Sequence, residues 1–488
     1  MSEVIIRKKN EVYLQLKTPP HISYELSDHF TFEVEGAKFM PAYRQRHWDG
    51  KIRLFSPGTG EIYAGLREYI EQFCQERGYA YDYADNEYFG MPNAEDELVS
   101  YDGVKSFTKR FSALKARDYQ YKAIYEALRK KRKLIVSPTG SGKSFMIYSI
   151  VRFLQETGQK IIIVVPTTSL VEQMYKDFWS YGWDVEEHCH KVYAGHEKIS
   201  PKPVTITTWQ SVYKQKRQFF ECFSAVIGDE AHLFKAKSLT DILTKLHHAK
   251  YRVGFTGTLD GSKTNKLVLE GLFGPHEKIT NTNDLIKQGH LSRLKIKIIS
   301  LKHHHINFDS YHDEIDYLVS HPKRNNFIKN LALDLAGNTL VLFNYVERHG
   351  EPLFDLINSN VKHGRKVFFV HGGVDVKDRE EIRAITEQES NAIIIASYGT
   401  FSTGINIKNL HNIIFASPSK SRVRNLQSIG RVLRKGDNKN TAVLYDIADD
   451  TTKDSNNPNY TLRHLFERVK IYNQENFDYE IINVKLKQ

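Results

Sequence analysis

The stretch Ser137-Pro138-Thr139-Gly140-Ser141-Gly142-Lys143-Ser144 determines the fold that this sequence predicts. It follows a short apolar run over residues 134–136 and precedes a helix-like segment over residues 145–155. Small residues and glycines let successive backbone N–H groups surround phosphate oxygens, and the N-terminal end of a helix favours an anion. The stretch is therefore predicted to be a phosphate-binding loop, with Ser137 in place of the usual first glycine.

Two side chains of this loop have distinct expected roles. Lys143 is expected to reach the β- and γ-phosphates of a nucleotide, and the hydroxyl of Ser144 to bind Mg²⁺. The structural alternative is a glycine- and serine-rich turn that carries a surface lysine. The strand before the loop and the helix after it argue against that alternative.

The composition is that of a globular chain with a basic surplus. Its 488 residues suggest roughly three domains, and 69 Lys and Arg against 58 Asp and Glu give a net charge of +11. Such a surplus indicates a polyanionic partner, but charge alone leaves nucleic acid and an acidic membrane both open. No apolar run has the length of a membrane span, and residues 1–10 lack the apolar segment of a secretory signal, so we expect a cytoplasmic protein.

Residues 1–95 are rich in aromatic residues and predict a small α+β domain, with a linker over residues 91–103. Within this domain, residues 43–53 interleave cations with aromatic rings. The stretch could bind phosphates and stack a base or sugar, or it could be a solvated hairpin around a core tryptophan. The residues concerned are Arg44, Arg46, Trp48, Lys51 and Arg53.

Residues 96–282 alternate apolar strands with helix-length segments, which is typical of a parallel sheet in an α/β domain. Strands are predicted over residues 161–165, 204–207, 225–227 and 252–256. Polar residues follow each strand, at the edge where α/β sheets bind ligands. Of these, Asp229 is expected to hold Mg²⁺ through water and Glu230 to polarise the attacking water.

A glutamine before the phosphate loop has the chemistry to recognise adenine. Gln120 follows Arg117 at the start of a helix-like segment, and its amide both donates and accepts hydrogen bonds. In isolation this residue would carry no signal. Its position upstream of the loop makes a nucleotide contact the prediction.

Residues 283–488 repeat the α/β alternation without a phosphate loop. Strands are predicted over residues 295–300, 339–343, 366–370, 392–396, 412–416 and 442–445. On a predicted helix, Arg431 and Arg434 are three residues apart and would share one face, from which they could neutralise charge on a γ-phosphate. A solvated basic helix is the alternative.

Eight motifs occur in an order that resembles superfamily-two helicases. They comprise Arg117 with Gln120 and residues 137–144, 165–167, 207–210, 229–232, 256–258, 402–406 and 427–434. The Asp-Glu-Ala-His form of residues 229–232, the Leu-Phe-Gly-Pro stretch at 272–275 and the N-terminal His-Trp-Asp-Gly at 47–50 make the chain similar to the XPB and UvsW branch of DNA helicases. Ser428 stands where many relatives have an arginine.

The resemblance implies two RecA-like domains forming a helicase core, with ATP and Mg²⁺ as cofactors. It implies action on branched, single-stranded or double-stranded DNA and on RNA–DNA hybrids, by a monomer or weakly self-associating protein in the host cytoplasm, alongside single-strand-binding or recombination proteins.

It also implies roles for particular residues: Gly404 with the phosphate loop in nucleotide binding; Thr167, Thr208, Trp209 and Thr400 in nucleic-acid binding; and His232, Thr256, Thr258 and Gln427 in coupling. A duplex translocase or an ATP-gated annealing factor that separates no strands remains the alternative.

Overall fold

The structure is a computed structural model that describes residues 3–34, 36–84, 99–111, 114–362, 364–403, 407–417, 419–436, 439–452 and 457–486. The chain folds into two compact units. The first comprises Met1–Ser137 and Gly142–Ile279, and the second comprises Pro138–Ser141 and Thr280–Gln488. Within the described residues, no helix is long and apolar enough to cross a membrane.

The first unit begins with an α+β region. Its elements are β1 (Val4–Lys8), β2 (Tyr13–Lys17), α1 (Pro20–His29), β3 (Thr31–Glu33), α2 (Pro41–Arg44), β4 (Lys51–Arg53), β5 (Phe55–Ser56), β6 (Glu61–Tyr63), α3 (Arg67–Arg77) and β7 (Tyr81–Tyr83). Five strands form a mixed sheet in the order β5-β6-β2-β1-β7, and β3 pairs with β4 in an antiparallel hairpin. The predicted α+β character of this region is confirmed.

The rest of the first unit is an α/β layer structure. Its elements are α4 (Tyr101–Phe111), α5 (Asp118–Lys130), β8 (Arg132–Val136), α6 (Lys143–Glu156), β9 (Ile161–Val165), α7 (Thr168–Ser180), α8 (Val185–His188), β10 (Cys189–Val192), β11 (Val204–Thr208), α9 (Trp209–Val212), α10 (Arg217–Phe220), β12 (Ala225–Gly228), α11 (Lys237–Lys245), β13 (Tyr251–Thr256), α12 (Lys263–Phe273) and β14 (His276–Lys278). The strands form one parallel sheet in the order β10-β11-β9-β12-β13-β8-β14.

The second unit repeats this architecture. Its elements are α13 (Thr282–Lys287), β15 (Arg293–Lys302), α14 (Tyr311–Ser320), α15 (Pro322–Asp334), β16 (Thr339–Phe343), α16 (Glu351–Asn358), β17 (Val367–Val370), α17 (Val376–Gln388), β18 (Ile393–Ser397), α18 (Tyr398–Thr403), β19 (Asn412–Phe415), α19 (Arg422–Val432), β20 (Thr441–Asp450), α20 (Tyr460–Gln474) and β21 (Tyr479–Lys485). A second parallel sheet has the order β17-β18-β16-β19-β20-β15-β21.

The central strands of both sheets are continuous apolar runs because each sheet is buried on both faces. Every residue of β9, Ile-Ile-Ile-Val-Val, is buried, as is every residue of β16. Helices cover both faces of a parallel sheet, so its inner strands need apolar side chains at successive positions. The predicted class, two α/β domains preceded by a small α+β domain, is confirmed.

The α+β region shares a hydrophobic core with the first parallel sheet. Leu14, Leu66 and Phe73 belong to the same cluster of buried residues as Val226 and Phe273. Polar contacts reinforce this packing, because Glu11 pairs with Arg132 at 3.0 Å and the hydroxyl of Tyr69 donates to Oε2 of Glu270 at 2.7 Å. The α+β region is therefore an integral part of the first unit.

Candidate active site

Five adjacent strands of the first sheet end at one edge. In the order β11-β9-β12-β13-β8, their carboxyl ends lead into the residues that the sequence singled out. These are Thr208 at the end of β11 and Trp209 after it, Thr167 after β9, Asp229 and Glu230 after β12, Thr258 after β13 and Ser137 after β8. The strands are parallel, so residues scattered over more than a hundred positions meet at this edge.

The phosphate loop has the backbone that its sequence requires. Gly140 and Gly142 have φ angles of 83° and 82°, in the left-handed region that glycine adopts without a steric penalty. The backbone N–H of Ser137 donates to the carbonyl of Thr256 at 2.8 Å, which fixes the start of the loop to the neighbouring strand. Helix α6 then begins at Lys143. The loop therefore presents small residues and a helix N-terminus, which suits phosphate.

Gln120 packs directly against the loop. Its Oε1 accepts a hydrogen bond from the backbone N–H of Arg117 at 2.8 Å. A Cβ added at Gly142 would lie 2.3 Å from Nε2 of Gln120, so this amide lies against the backbone of the loop. The guanidinium of Arg117 donates to the hydroxyl of Tyr119 at 2.6 Å. The amide of Gln120 is thus held beside the loop, with its oxygen engaged by the chain itself.

A chain of polar contacts links the phosphate loop to β13. Nζ of Lys143 lies 3.5 Å from Oε1 of Glu230, and Oε2 of the same carboxylate lies 3.3 Å from Nδ1 of His232. That nitrogen also lies 3.1 Å from Oγ1 of Thr256. The threonine hydroxyl donates to the carbonyl of Thr258 at 3.0 Å, so it accepts from an Nδ1–H of His232. The predicted catalytic and coupling residues of the first unit therefore form one connected set.

Asp229 lies at the centre of this edge with an unfavourable charge environment. Burial, together with the neighbouring Glu230 carboxylate, raises the pKa of Asp229 to about 6, against the opposing effect of Lys143. Its Oδ1 accepts the backbone N–H of Glu230 at 2.9 Å. Asp229 and Ser144 supply only oxygen donors, which fits Mg²⁺, and a bound divalent cation would favour the ionised carboxylate.

Glu230 has an unusual backbone conformation. Its φ of 49° and ψ of 49° place a residue with a Cβ in the left-handed region, at a cost of roughly 1–2 kcal/mol. A 3₁₀ segment, Ala231–Lys235, follows immediately. This conformation accompanies the contacts of Glu230 with Lys143 and of His232 with Thr256, and the sequence does not reveal it.

The four residues of the α/β domains that were predicted to bind nucleic acid have different environments. Thr167 caps α7, and its hydroxyl lies 3.0 Å from Oγ of Ser169. Thr208 is buried with its hydroxyl 2.9 Å from Oγ of Ser211, and Trp209 packs against the hydrophobic core. In the second unit, Thr400 is buried and its hydroxyl accepts from Oγ of Ser397 at 2.9 Å. Gly404, predicted to bind nucleotide, lies outside the described residues.

The prediction that Arg431 and Arg434 share a helix face is wrong for Arg434. Helix α19 ends at Val432, so Arg431 is in its last turn and Arg434 follows the helix end. The backbone N–H of Arg434 donates to the carbonyl of Arg431 at 3.4 Å, as in a tight turn. Both side chains are half-buried, and the Arg431 guanidinium lies 5.7 Å from the centre of the Phe401 ring. Gln427, predicted to couple the two states, lies on the same helix and is half-buried.

Lys439, which the sequence did not single out, explains this helix end. It is 1% exposed, and its ammonium donates to the carbonyls of Val432, of Arg434 at 3.0 Å and of Lys408 at 3.2 Å. A cation at the C-terminus of a helix is favoured by the helix dipole and replaces the missing hydrogen bonds of the last turn. Burial lowers the pKa of Lys439 to about 7.

The N-terminal cations lie on the exposed side of the β3–β4 hairpin. Arg44, Arg46 and Lys51 are exposed, and Arg53 forms an ion pair with Asp49 at 2.5 Å. The indole of Trp48 is half-buried and donates to the carbonyl of Lys51 at 2.8 Å. Trp48 is therefore not a core residue, which removes the interpretation of this stretch as a hairpin around a buried tryptophan.

Two parallel sheets in tandem, the first ending on a phosphate loop and an acidic pair, define the core of a superfamily-two helicase. The ATP-dependent DNA helicase UvsW of Enterobacteria phage T4 is 35% identical over 488 aligned residues, which cover 95% of this chain and 96% of the relative. The chain belongs to the UvsW family of ATP-dependent DNA helicases. It therefore hydrolyses ATP and binds nucleic acid.

Family models and solved structures agree with this membership. Residues 4–83 match the N-terminal domain of DNA helicase UvsW, residues 113–261 the res subunit of type III restriction enzymes and residues 323–436 the conserved C-terminal domain of helicases. The crystal structure of T4 UvsW matches 99% of this chain and 100% of its own, with 31% identity and a TM-score of 0.53. A DNA 3′–5′ translocase, XPB2 of Sulfurisphaera tokodaii, is 24% identical over 70% of this chain and 83% of its own length.

Proposed function

We propose that this helicase remodels branched DNA: it migrates Holliday junctions, dissociates D-loops and R-loops and regresses forks in recombination, repair and replication. Single strands, duplexes and RNA–DNA hybrids would be its substrates. The observation that supports this proposal is the set of exposed cations on the N-terminal region, which shares a core with the ATP-binding sheet.

The attachment of that surface is rigid by several physical criteria. A Cβ added at Gly65 would lie 2.0 Å from the backbone carbonyl oxygen of Glu270, so the segment around Gly65 packs directly against the backbone of α12. Although burial raises its pKa, hydrogen bonds from His276 and Tyr69 lower the pKa of Glu270 below the usual value, so the buried carboxylate stays ionised. Arg252 is fully buried nearby and donates to the carbonyls of Leu243, Leu246 and Leu272. A DNA arm held by the N-terminal region would move with the first unit.

The proposed chemistry assigns a role to each residue of the site. The glycines of the loop and Lys143 bind the phosphates of ATP, and Gln120 recognises adenine. Ser144 and Asp229 would hold Mg²⁺, which supplies charge neutralisation for phosphoryl transfer. Glu230 orients and polarises the attacking water, while His232 and Thr256 connect that carboxylate to the segment after β13. Arg431 and Arg434 neutralise charge on the transferred phosphoryl group.

Binding to a four-way junction tests the branched-DNA role. Replacing Arg44, Arg46 and Lys51 with Ala should weaken binding to the junction and reduce the salt dependence of its affinity by about 0.9 log units for each lost phosphate contact. Binding to a single strand should weaken much less. The double variant Asp49→Ala/Arg53→Ala is the matched control, because it removes an ion pair and leaves the net charge unchanged. Equal salt slopes for the parent and the triple variant would contradict the proposal.

Strand displacement distinguishes a helicase on branched DNA from a duplex translocase. On the proposal, the protein separates the strands of a forked duplex and leaves a blunt duplex intact. Lys143→Ala serves as the variant without motor activity, since the loop then lacks its phosphate-binding cation. Equal ATP turnover on forked and blunt duplexes, without strand separation on either, would favour the translocase.

A further inference from the structure

The β3–β4 hairpin carries an exposed apolar tip. Between the two strands, residues 34 and 36–50 belong to a small lobe with a 3₁₀ turn, Ala37–Phe39, and the short helix α2. At their junction, Phe39 is 77% exposed and Met40 is 42% exposed. Phe39 and Met40 are consecutive in the sequence, so the tip exposes two large apolar side chains side by side.

The lobe holds this tip in a defined place. The backbone N–H of Val34 donates to the carbonyl of Gly50 at 2.8 Å, which closes the lobe at its base. Within it, the N–H of Phe39 donates to the carbonyl of Gly36 at 3.0 Å and that of Met40 to Ala37 at 2.9 Å. A Cβ added at Gly50 would lie 3.0 Å from both Ala37 and Tyr43, so the lobe is closely packed. The apolar tip is thus presented by an ordered turn.

The surface around the tip is cationic. From Ala37 to Trp48 the sequence contains no Asp or Glu, and Lys38, Arg44 and Arg46 are exposed on the lobe. Among the described residues, the exposed carboxylates nearest in sequence, Glu33 and Asp49, lie at the base of the lobe, and Asp49 is paired with Arg53. Apolar side chains between cations are typical of proteins that insert a wedge into the base stack while they bind the flanking phosphates.

We propose that Phe39, with Met40 beside it, contacts unstacked bases at the branch point of DNA, while the surrounding cations bind the phosphates of the arm. This rests on the proposed action on branched DNA and adds the residues that touch the bases. An aromatic ring stacks on any base, so the contact recognises an open junction without reading sequence. A continuous duplex offers no exposed base face to such a ring and would be bound through its phosphates alone.

The base of the hairpin transmits motion to this tip. Phe32 of β3 and Ile52 of β4 pack against the hydrophobic core that the α+β region shares with the first parallel sheet. Nζ of Lys263, on α12, lies 5.5 Å from the centre of the Phe32 ring. When ATP hydrolysis moves the first unit along DNA, the tip moves with it and stays at the branch point.

A junction with 2-aminopurine in a base pair at its branch point tests the inference, because this base analogue becomes more fluorescent when it unstacks. Binding of the full-length parent should raise the fluorescence. The variant Phe39→Ala/Met40→Ala should lose that rise and bind the junction about tenfold more weakly, as expected for the loss of stacking on a base. Phe39→Trp should retain the junction affinity of the parent, since it keeps an aromatic face.

Ile199→Ala is the matched control, because Ile199 is an equally exposed apolar residue of the first unit at 79% exposure, outside the lobe. Its fluorescence rise and affinity should equal those of the parent. Thermal unfolding of all variants checks that each is folded. We expect this outcome because the replaced side chains are exposed, and surface substitutions usually change stability little.

The outcomes separate this inference from the proposed function. A fluorescence rise that survives in the double variant, while the triple cation variant loses junction binding, overturns the base contact alone. If the triple cation variant binds junctions like the parent, the phosphate contacts are overturned. Loss of the fluorescence rise in the double variant would still support the base contact. If the double variant changes only the sedimentation of the protein, the tip is an interface between copies and the inference is wrong.

Discussion

Nδ1 of His232 lies 3.3 Å from Oε2 of Glu230. The same nitrogen contacts the hydroxyl of Thr256 at 3.1 Å, so one imidazole joins the proposed water-activating carboxylate to the end of β13. Movement of the Glu230 side chain during hydrolysis would therefore displace His232 and change its contact with Thr256, which is hydrogen-bonded to Thr258. The contacts of His232 thus connect the site of hydrolysis to Thr256 and Thr258, the residues predicted to couple hydrolysis to movement.

Glu230→Gln should bind ATP but hydrolyse it at least about a hundredfold more slowly, because the amide keeps the shape of the side chain and loses the base. Single-turnover hydrolysis and nucleotide binding, measured on the same preparation in the presence of DNA, check this outcome. If the variant turns over at the parental rate, another group activates the water and Glu230 has only a structural role.

Thr256→Val should uncouple ATP hydrolysis from strand separation. The substitution keeps the volume of a fully buried side chain but removes the hydroxyl that accepts from His232 and donates to the carbonyl of Thr258. We expect the number of base pairs opened per ATP to fall about tenfold, with a smaller fall in DNA-stimulated hydrolysis. Thr205→Val, at a buried position of the same sheet, is the control. A parental ratio of base pairs opened to ATP hydrolysed would show that the chain of contacts carries no coupling.

The sequence predicted the inner strands of both sheets because their physical cause is local, but it missed the edge strands β10, β14 and β21. Buried parallel strands such as β9 and β16 need apolar residues at every position, and the predicted bounds of both equal the observed ones. The prediction for β20 stopped at residue 445, whereas the strand continues to Asp450. Its second half contains Asp446 and Asp449, which are buried because Arg468 and Arg324 pair with them at 2.8 Å. A prediction from local periodicity cannot detect an ion-pair partner that lies elsewhere in the chain.

The same limit applies to the candidate site. The residues at the strand ends could be found from motifs, but the left-handed backbone of Glu230 depends on tertiary contacts. The end of α19 depends on Lys439, which binds the last carbonyls of the helix from seven residues beyond Val432. Phe39 and Met40 were overlooked because an apolar residue in a short turn carries no signal until its exposure is known.

Arg434→Ala should lower the rate constant for ATP hydrolysis by about a thousandfold and change nucleotide affinity by less than about tenfold, as expected for a contact made mainly in the transition state. Arg431→Ala should behave similarly, and the two effects need not add. Steady-state kinetics together with equilibrium binding of a nucleotide analogue check this prediction. Weakened binding with an unchanged rate constant would reassign Arg434 to binding in the ground state.

The second unit should lose stability as the pH falls below about 6.5. Burial, with the neighbouring Arg324, lowers the pKa of His349 from 6.5 to about 3, so between these values the unfolded chain binds a proton that the folded chain does not. The free energy of unfolding should then fall with decreasing pH by up to about 1.4 kcal/mol per pH unit from this residue alone.

Hydrogen exchange of β16 is the appropriate measurement of that effect, because all four tryptophans lie in the first unit and their fluorescence would not report on the second. His349→Gln should reduce the slope between pH 6.5 and 5. Identical slopes in the parent and the variant would mean that His349 does not control the acid sensitivity.

The last prediction concerns the attachment of the N-terminal region to the motor. Gly65→Ala should loosen it, because the added Cβ would lie 2.0 Å from the carbonyl oxygen of Glu270 and 2.7 Å from that of Gly271, and backbone atoms cannot move aside cheaply. Overpacking of this kind costs typically about 1–3 kcal/mol. Gly58→Ala is the matched control, since a Cβ there meets nothing within 4 Å. Hydrogen exchange should increase in α12 and in β6 for Gly65→Ala only, and junction remodelling should fall more than hydrolysis stimulated by single strands. Remodelling at the parental rate with a loosened interface would mean that the N-terminal region works as a tether and that its rigid attachment to the first unit is dispensable.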